Sequence, residues 1–98
     1  LLMHAYVRSE QLAAGWNRDR IVAAFNALGV ACYQGSCSEV YMEKAFDGTG
    51  WRPAAPLPTA HALGTTSVMF LVHPTLTQAE VDTTCTAIAQ VMQQATAA

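Results

Sequence analysis

Apolar positions recur at helical spacing in two parts of this chain and form one unbroken run in a third. The first helical stripe has four apolar members: Ile21, Val22, Phe25 and Leu28. Asn17 precedes it as a helix N-cap, because its side-chain oxygen accepts an unpaired amide of the first turn. Gly29 follows as the left-handed residue that ends a helix. The pattern predicts a helix between these two residues.

A second stripe lies near the end of the chain and consists of Val81, Cys85, Ile88 and Met92. Thr77 and Glu80 precede it as a capping box, in which each side chain bonds the backbone amide of the other residue. The stripe predicts an amphipathic helix with the thiol of Cys85 in the core. The alanine-rich tail from Gln93 is expected to fray.

Residues 67–72 form the unbroken apolar run, which His73 and Pro74 end, and such a run predicts a buried strand. Residues 4–7 and 30–33 predict two shorter strands. The order of strands and helices predicts an α+β fold, a two-layer sandwich with a small, about three-stranded sheet and helices packed on one face. Residues 1–98 are one domain, because the chain is too short for two.

The stretch between the second and third strands carries turn signals. Ser36 and Glu39 match a capping box and predict a short helix to about Phe46. Glycines in residues 47–50 then favour a turn. A further helix is expected to begin near Pro58 and to stop at Gly64.

Composition adds a partner surface to this fold. The apolar share is 52% and the charged share 12%, whereas about a quarter of residues are charged in an average soluble domain. A domain this small cannot bury so much apolar surface within itself. We expect a patch that meets another domain or subunit, although many of the apolar residues are small alanines that a helix surface tolerates. Trp16 and Trp51 flank loops and are candidates for that contact.

Charge and cysteine content exclude several function classes. The net charge is −2, and the pair Arg18 and Arg20 makes no basic patch for nucleic acid or an anionic membrane. No apolar stretch is long enough for a membrane span, and no secretory signal peptide is expected. Three cysteines without a disulfide pattern indicate reduced thiols and a cytoplasmic protein. No spacing indicates a metal site.

The residues themselves point to no catalytic centre. Lys44 is the only lysine. The negative charge of Glu43 beside it favours the charged ammonium form, whereas a lysine that forms a Schiff base must lose its proton. Cys37 could be activated by the N-terminus of a helix, but no histidine lies near it in sequence. His73 has no second ligand or acidic partner in view, so we expect a structural role for it. His61 is expected to lie in the middle of a helix and to be exposed.

Three parts of the sequence resemble the C-terminal portion of the DegT/DnrJ/StrS aminotransferases, which are fold-type I enzymes. They are residues 17–30 (Asn-Arg-Asp-Arg through Leu-Gly-Val), residues 32–46, and Leu57-Pro58 leading to residues 67–77. The resemblance covers nearly the whole chain. It implies a pyridoxal-phosphate enzyme that moves an amino group from glutamate or glutamine to a nucleotide-linked keto-sugar.

The same resemblance implies that this chain is the small domain of a larger polypeptide and is inactive alone. The cofactor and its lysine belong to the large domain, so no catalytic or cofactor-binding residue is expected here. The full-length enzyme is expected to be a homodimer. Family members often carry an aromatic residue, a proline and a histidine after the second strand. Here Tyr33 matches the aromatic residue, and Ser36 and Cys37 stand in the same loop.

The substrate-side candidates are therefore Tyr33, Ser36, Cys37 and Tyr41. Two alternatives stay open at this point. One is a stand-alone α+β binding module that dimerises through its apolar face. The other is a thiol enzyme built on Cys37.

Overall fold

The computed structural model of the chain describes residues 2–96 and confirms the α+β class. Its strands are β1 (Leu2–Tyr6), β2 (Cys32–Gln34) and β3 (Ser67–Leu71). Its helices are α1 (Arg18–Ala27), α2 (Pro58–Thr66) and α3 (Gln78–Thr96). Short 3-10 helices cover Ser9–Gln11, Val40–Met42 and Lys44–Phe46.

The three strands form one antiparallel sheet in the order β1-β3-β2. The strand that comes last in the sequence is therefore the central one. Because side chains alternate between faces, Val68 and Phe70 of β3 share one face, and both are buried. Met69 lies on the other face, between His4 of β1 and Tyr33 of β2 in register.

Helices α1 and α3 cover the face that carries Val68 and Phe70. Ile21 and Phe25 of α1 are almost fully buried there. The Phe25 and Phe70 rings meet edge to face with centroids 5.4 Å apart, an arrangement that aromatic quadrupoles favour. This helical layer on one side of the sheet is the predicted two-layer sandwich.

The predicted ends of α1 are confirmed. Asn17 Oδ1 accepts the Arg20 amide at 2.8 Å, and Gly29 adopts the left-handed φ of +79° that closes the helix. The predicted stripe holds for Ile21 and Phe25. It fails at Leu28, which lies at the C-cap and is exposed.

Helix α3 begins at the predicted capping box but buries a different face. The Glu80 amide donates to Thr77 Oγ1 at 3.1 Å. The buried residues are Ala87, Val91 and Ala95, whereas Cys85 is exposed. The prediction of a core Cys85 is wrong, because the buried side of α3 runs through Ala87, Val91 and Ala95, while Ile88 and Met92 of the predicted stripe pack at its edge.

The alanine-rich tail is also ordered, contrary to the fraying expected from Gln93. Helix α3 continues to Thr96, and Ala95 has no exposed surface. The Ala13 amide donates to the Ala95 carbonyl at 2.7 Å, so the loop before α1 holds the end of α3. Alanine here is a packing residue that allows close approach.

Residues 35–66 join β2 to β3 and are called the connecting segment below. No residue in it is buried, α2 included. The helix predicted from Ser36 and Glu39 does not form, and two 3-10 helices stand in its place, with no side-chain cap at Glu39. The turn at residues 47–50 is present, with Gly48 and Gly50 at positive φ.

Helix α2 begins at Pro58 as predicted but does not stop at Gly64. It continues to Thr66 and leads directly into β3. A Cβ on Gly64 would lie 2.3 Å from Ser38 Oγ. The glycine therefore serves a close contact between α2 and the start of the connecting segment, and not a helix end.

Candidate functional site

The first part of the candidate site lies on the sheet face that the helices leave uncovered. Tyr33 and Met69 are register partners on this face, and Tyr33 is 49% exposed. Ser36 Oγ lies 3.3 Å from His4 Nε2 and 3.7 Å from Met69 Sδ. The structure thus brings Tyr33 and Ser36 to the same methionine, with His4 beside them.

Gly35 fixes the turn that places Ser36 there. Its amide donates to the Ser67 carbonyl at 3.2 Å. A Cβ on Gly35 would meet Ser67 Oγ at 1.9 Å and Ser67 Cβ at 2.5 Å. Only glycine allows the backbone to come this close to the buried first residue of β3.

Cys37 is exposed and faces a carboxylate. Its Sγ lies 3.2 Å from Glu43 Oε1. This hydrogen bond is the largest cause that raises the pKa of the Cys37 thiol, and desolvation adds to it. Because the thiol and not the thiolate is favoured, and because the predicted helix is absent, the activation considered for a thiol enzyme is contradicted.

Tyr41 belongs to a network with Glu39 and His61, which we call the latch. The Tyr41 hydroxyl donates to Glu39 Oε1 at 2.7 Å and accepts the Leu57 amide at 2.9 Å. His61 Nδ1 lies 3.2 Å from Glu39 Oε2. His61 is exposed on α2 as expected, and the structure adds Glu39 as its acidic partner. The bond from Tyr41, followed by the contact with His61, lowers the pKa of Glu39.

The same network acts on Tyr41 in the opposite direction. Desolvation, and then the bond to the Glu39 carboxylate, raise the pKa of the Tyr41 phenol. The phenol therefore keeps its proton, and the donor of the network is retained over the neutral range.

Arg52 holds the two 3-10 helices of the connecting segment together. Its guanidinium donates to the carbonyls of Tyr41 at 2.6 Å, Glu43 at 3.0 Å and Met42 at 3.2 Å. It also pairs with Asp47. A single planar cation thereby bonds three successive carbonyls around the two 3-10 helices, and the Glu43 carbonyl also accepts the Phe46 amide at 3.0 Å.

Arg18 joins the connecting segment to the helical layer. Its Nη1 donates to the carbonyls of Gly64 at 2.8 Å and Ser67 at 2.9 Å, and its side chain is only 11% exposed. Arg20, two residues along, points elsewhere, and its guanidinium stacks 4.0 Å from the centroid of the Trp16 ring. The expected basic pair is in fact two arginines with separate structural roles.

Four residues of the site region were not predicted: His4, Glu39 as a carboxylate partner, Arg52 and Arg18. His4 could have been found from the sheet order, which places β1 beside β3. No sequence signal marks Arg52, because it bonds backbone carbonyls that any residues could supply.

Exposed large apolar side chains lie both on the connecting segment and on the strands. Those of the connecting segment are Val40, Met42, Trp51, Leu57 and Leu63, and those of the strands are Leu2, Met3, Tyr6, Tyr33 and Leu71. Trp51 is 76% exposed, and its ring meets that of Phe46 edge to face at a centroid distance of 6.5 Å. Trp16, by contrast, packs against the core.

Lys44 and His73 are the two other residues considered above for a catalytic role. Lys44 is exposed at the start of a 3-10 helix. His73 bonds Thr75 at 2.6 Å and borders a cavity of about 350 Å³ between β3 and α3.

Within residues 2–96, no three histidine, cysteine or acidic side chains are grouped to hold a metal ion. No helix in the same range has the length and apolarity to cross a membrane.

The chain is similar to part of a solved aminotransferase structure. The X-ray structure of the aminotransferase from Psychrobacter cryohalolentis is 53% identical in sequence, with a TM-score of 0.92. The match covers 96% of this chain and 24% of that chain, so the chain spans about a quarter of the length of that enzyme. No family model and no curated protein sequence matches.

At this level of identity the likeness extends beyond fold to sequence. The chain is similar to one part of that aminotransferase, and its small antiparallel sheet with helices agrees with a small domain of such an enzyme. The aminotransferase part of the sequence resemblance is thereby supported.

Proposed function

We propose that this chain is the C-terminal small domain of a pyridoxal-phosphate-dependent aminotransferase that aminates a nucleotide-linked keto-sugar, with glutamate or glutamine as donor. The observation that carries the proposal is the 53% identity to part of an aminotransferase over 96% of this chain. The DegT/DnrJ/StrS resemblance of the sequence supports the sugar substrate and a cytoplasmic location.

The chain contributes a substrate-side surface. Tyr33 and Ser36 offer hydroxyl groups on the uncovered sheet face, where His4 adds a ring nitrogen. Hydroxyl and imidazole groups of this kind bond the hydroxyls of a sugar. Cys37 belongs to the same loop, and Tyr41 follows it in the sequence as a member of the latch.

The residues of this chain do not fit a binding site for pyridoxal phosphate. A Schiff-base lysine needs a desolvated pocket or a cationic neighbour, and Lys44 is exposed and lies next to Glu43. We therefore assign the cofactor, which supplies the electron sink of amino transfer, to the large domain.

The apolar side chains of the connecting segment are the surface proposed for that large domain. Val40, Met42 and Trp51 are each more than half exposed. A small domain gains stability when such residues are removed from water by a partner. Homodimerisation of the full-length enzyme is part of the same proposal.

The test uses the full-length enzyme, purified and assayed with nucleotide-linked keto-sugars. We expect a pyridoxal absorbance band, amino transfer from glutamate, and a raised KM for the sugar when Tyr33 is changed to Phe or Ser36 to Ala. Lys44→Ala, on the exposed 3-10 helix, is the control and should keep both constants. Absence of amino transfer to any keto-sugar would contradict the proposal.

The exposed apolar residues also suit a second candidate, a stand-alone module that dimerises through this surface. An open reading frame that encodes no lysine-containing domain before Leu1 would favour it. The sugar aminotransferase requires such a domain.

A further inference from the structure

The Tyr41 hydroxyl has its hydrogen-bonding capacity committed within the chain. It has one proton, which it donates to Glu39, and it accepts the Leu57 amide. A substrate therefore cannot receive a hydrogen bond from this hydroxyl unless the latch opens. This separates Tyr41 from Tyr33 and Ser36 among the substrate-side candidates.

Glu39 uses both carboxylate oxygens to join two distant parts of the connecting segment. One oxygen accepts from Tyr41 and the other faces His61, which lies 22 residues further along on α2. The bonds are well placed to act together, since the Glu39 side chain is only 23% exposed, against 61% for His61.

The Leu57 amide is the backbone end of the same network. Leu57 is the N-cap residue of α2, and its own side chain makes no cap hydrogen bond. Tyr41 thus bonds an amide at the start of α2, and Glu39 places a negative charge near that end, where the helix dipole favours it.

We propose that Glu39 and His61 are positioning residues, which hold Tyr41 against the start of α2 and so fix the loop that carries Ser36 and Cys37. The proposal rests on the proposed function only for its effect on catalysis. The latch itself is a property of the chain and is testable without turnover.

The latch depends on pH, because Glu39 takes part in it as a carboxylate. The groups that face the Glu39 carboxylate are the Tyr41 hydroxyl and the His61 ring, and the Cys37 thiol feels its charge. Since the pKa of Glu39 is lowered in the folded chain, the latch is fully formed above the ordinary carboxyl range. It is lost as the pH falls through that lowered pKa.

Hydrogen exchange of the Leu57 amide in the full-length enzyme reports the latch directly. We expect Glu39→Ala and Tyr41→Phe each to speed this exchange by roughly tenfold, which is the change in rate expected when about one hydrogen bond is lost. The double variant should exchange no faster than the single ones, because the groups act as a unit. Amides of β3 should keep their protection in all three, which shows that the domain remains folded.

The conservative variant Glu39→Gln retains an acceptor for Tyr41 and should restore most of the Leu57 protection, but without its loss in acid. His73→Gln, a histidine bonded to a neighbouring threonine outside the connecting segment, is the matched control for His61→Gln. Only the latter should raise the exchange rate of Leu57.

In the assay, Glu39→Ala should raise the KM for the acceptor sugar and leave the half-reaction with glutamate unchanged. Leu57 exchange that stays the same in Glu39→Ala would overturn the latch whatever the activity. If exchange rises but the enzyme transfers no amino group, the latch stands and the proposed function fails.

Discussion

The helical layer on the sheet and the connecting segment are stabilised by different physical means. The layer owes its order to buried apolar side chains from α1, α3 and β3. The connecting segment has no buried residue, and directional bonds from Arg18, Arg52 and the latch set its conformation. Close packing of apolar side chains stabilises the helical layer, whereas the distances and directions of hydrogen bonds set the conformation of the connecting segment.

This difference separates stability from function within one small domain. Apolar burial contributes free energy without fixing a polar group to a fraction of an ångström, whereas hydrogen bonds and close glycine contacts do fix it. The substrate-side candidates lie on or beside the region of directional bonds. We therefore expect substitutions in the two regions to give different kinds of effect.

The largest loss of stability is expected from Phe25→Ala in the helical layer. Phe25 is 2% exposed and packs on Phe70, so the variant should lower the free energy of unfolding by about 3–5 kcal/mol. Urea denaturation measures this. Lys44→Ala, at an exposed residue of the connecting segment, is the control, and a loss as large as that of Phe25→Ala would contradict the comparison.

Gly35→Ala should have the next largest effect, about 1–3 kcal/mol, because the new methyl group meets Ser67 Cβ, which cannot rotate away. Gly64→Ala should be close to neutral. There the methyl group meets only Ser38 Oγ, which a change of rotamer moves, and alanine favours the helix by about 1 kcal/mol. Equal losses in the two variants would show that the contact of Gly35 is not the cause.

Arg52→Ala should change global stability by about 1 kcal/mol or less, since its side chain is one-third exposed. Its effect should instead be local, because three carbonyls each lose the hydrogen bond from this guanidinium. Limited proteolysis should cleave residues 39–47 faster, with the exposed Arg8→Ala as control. Cleavage in β3 at the same increased rate would argue against a separate region.

The smallest expected effect is on the reactivity of the Cys37 thiol. Glu43→Gln removes the largest cause that raises the pKa of Cys37, so more thiolate is present at neutral pH and alkylation should be faster. The measurement uses a Cys85→Ser background, because Cys85 is also exposed whereas Cys32 is buried. Glu10→Gln, at another exposed glutamate, should leave the rate unchanged. A slower rate in Glu43→Gln would contradict the assignment.

Sequence periodicity predicted the helical layer well, because burial leaves a regular pattern. The ends of α1, the capping box of α3 and the run of β3 were all readable. The buried face of α3 was not, since alanine carries little hydrophobic signal and its use at Ala87 and Ala95 depends on how closely a neighbour approaches.

The connecting segment was predicted less well for a related physical reason. Ser36 and Glu39 have the spacing of a capping box, but each bonds a residue distant in sequence, His4 in one case and His61 in the other. The resemblance identified the loop that carries the site. The contacts within it depend on the sheet order and on arginines that bond the backbone, neither of which a linear pattern encodes.

The central place of β3 in the sheet has a consequence for how the chain acquires its structure. Leu2 pairs with Leu71, and Cys32 pairs with Phe70, so neither outer strand has a partner until residues 67–71 have been synthesised. Joining ends so distant requires a long loop to close, which slows folding. We expect the sheet to form late on the ribosome, in one step, with β1 exposed as an unpaired edge until then.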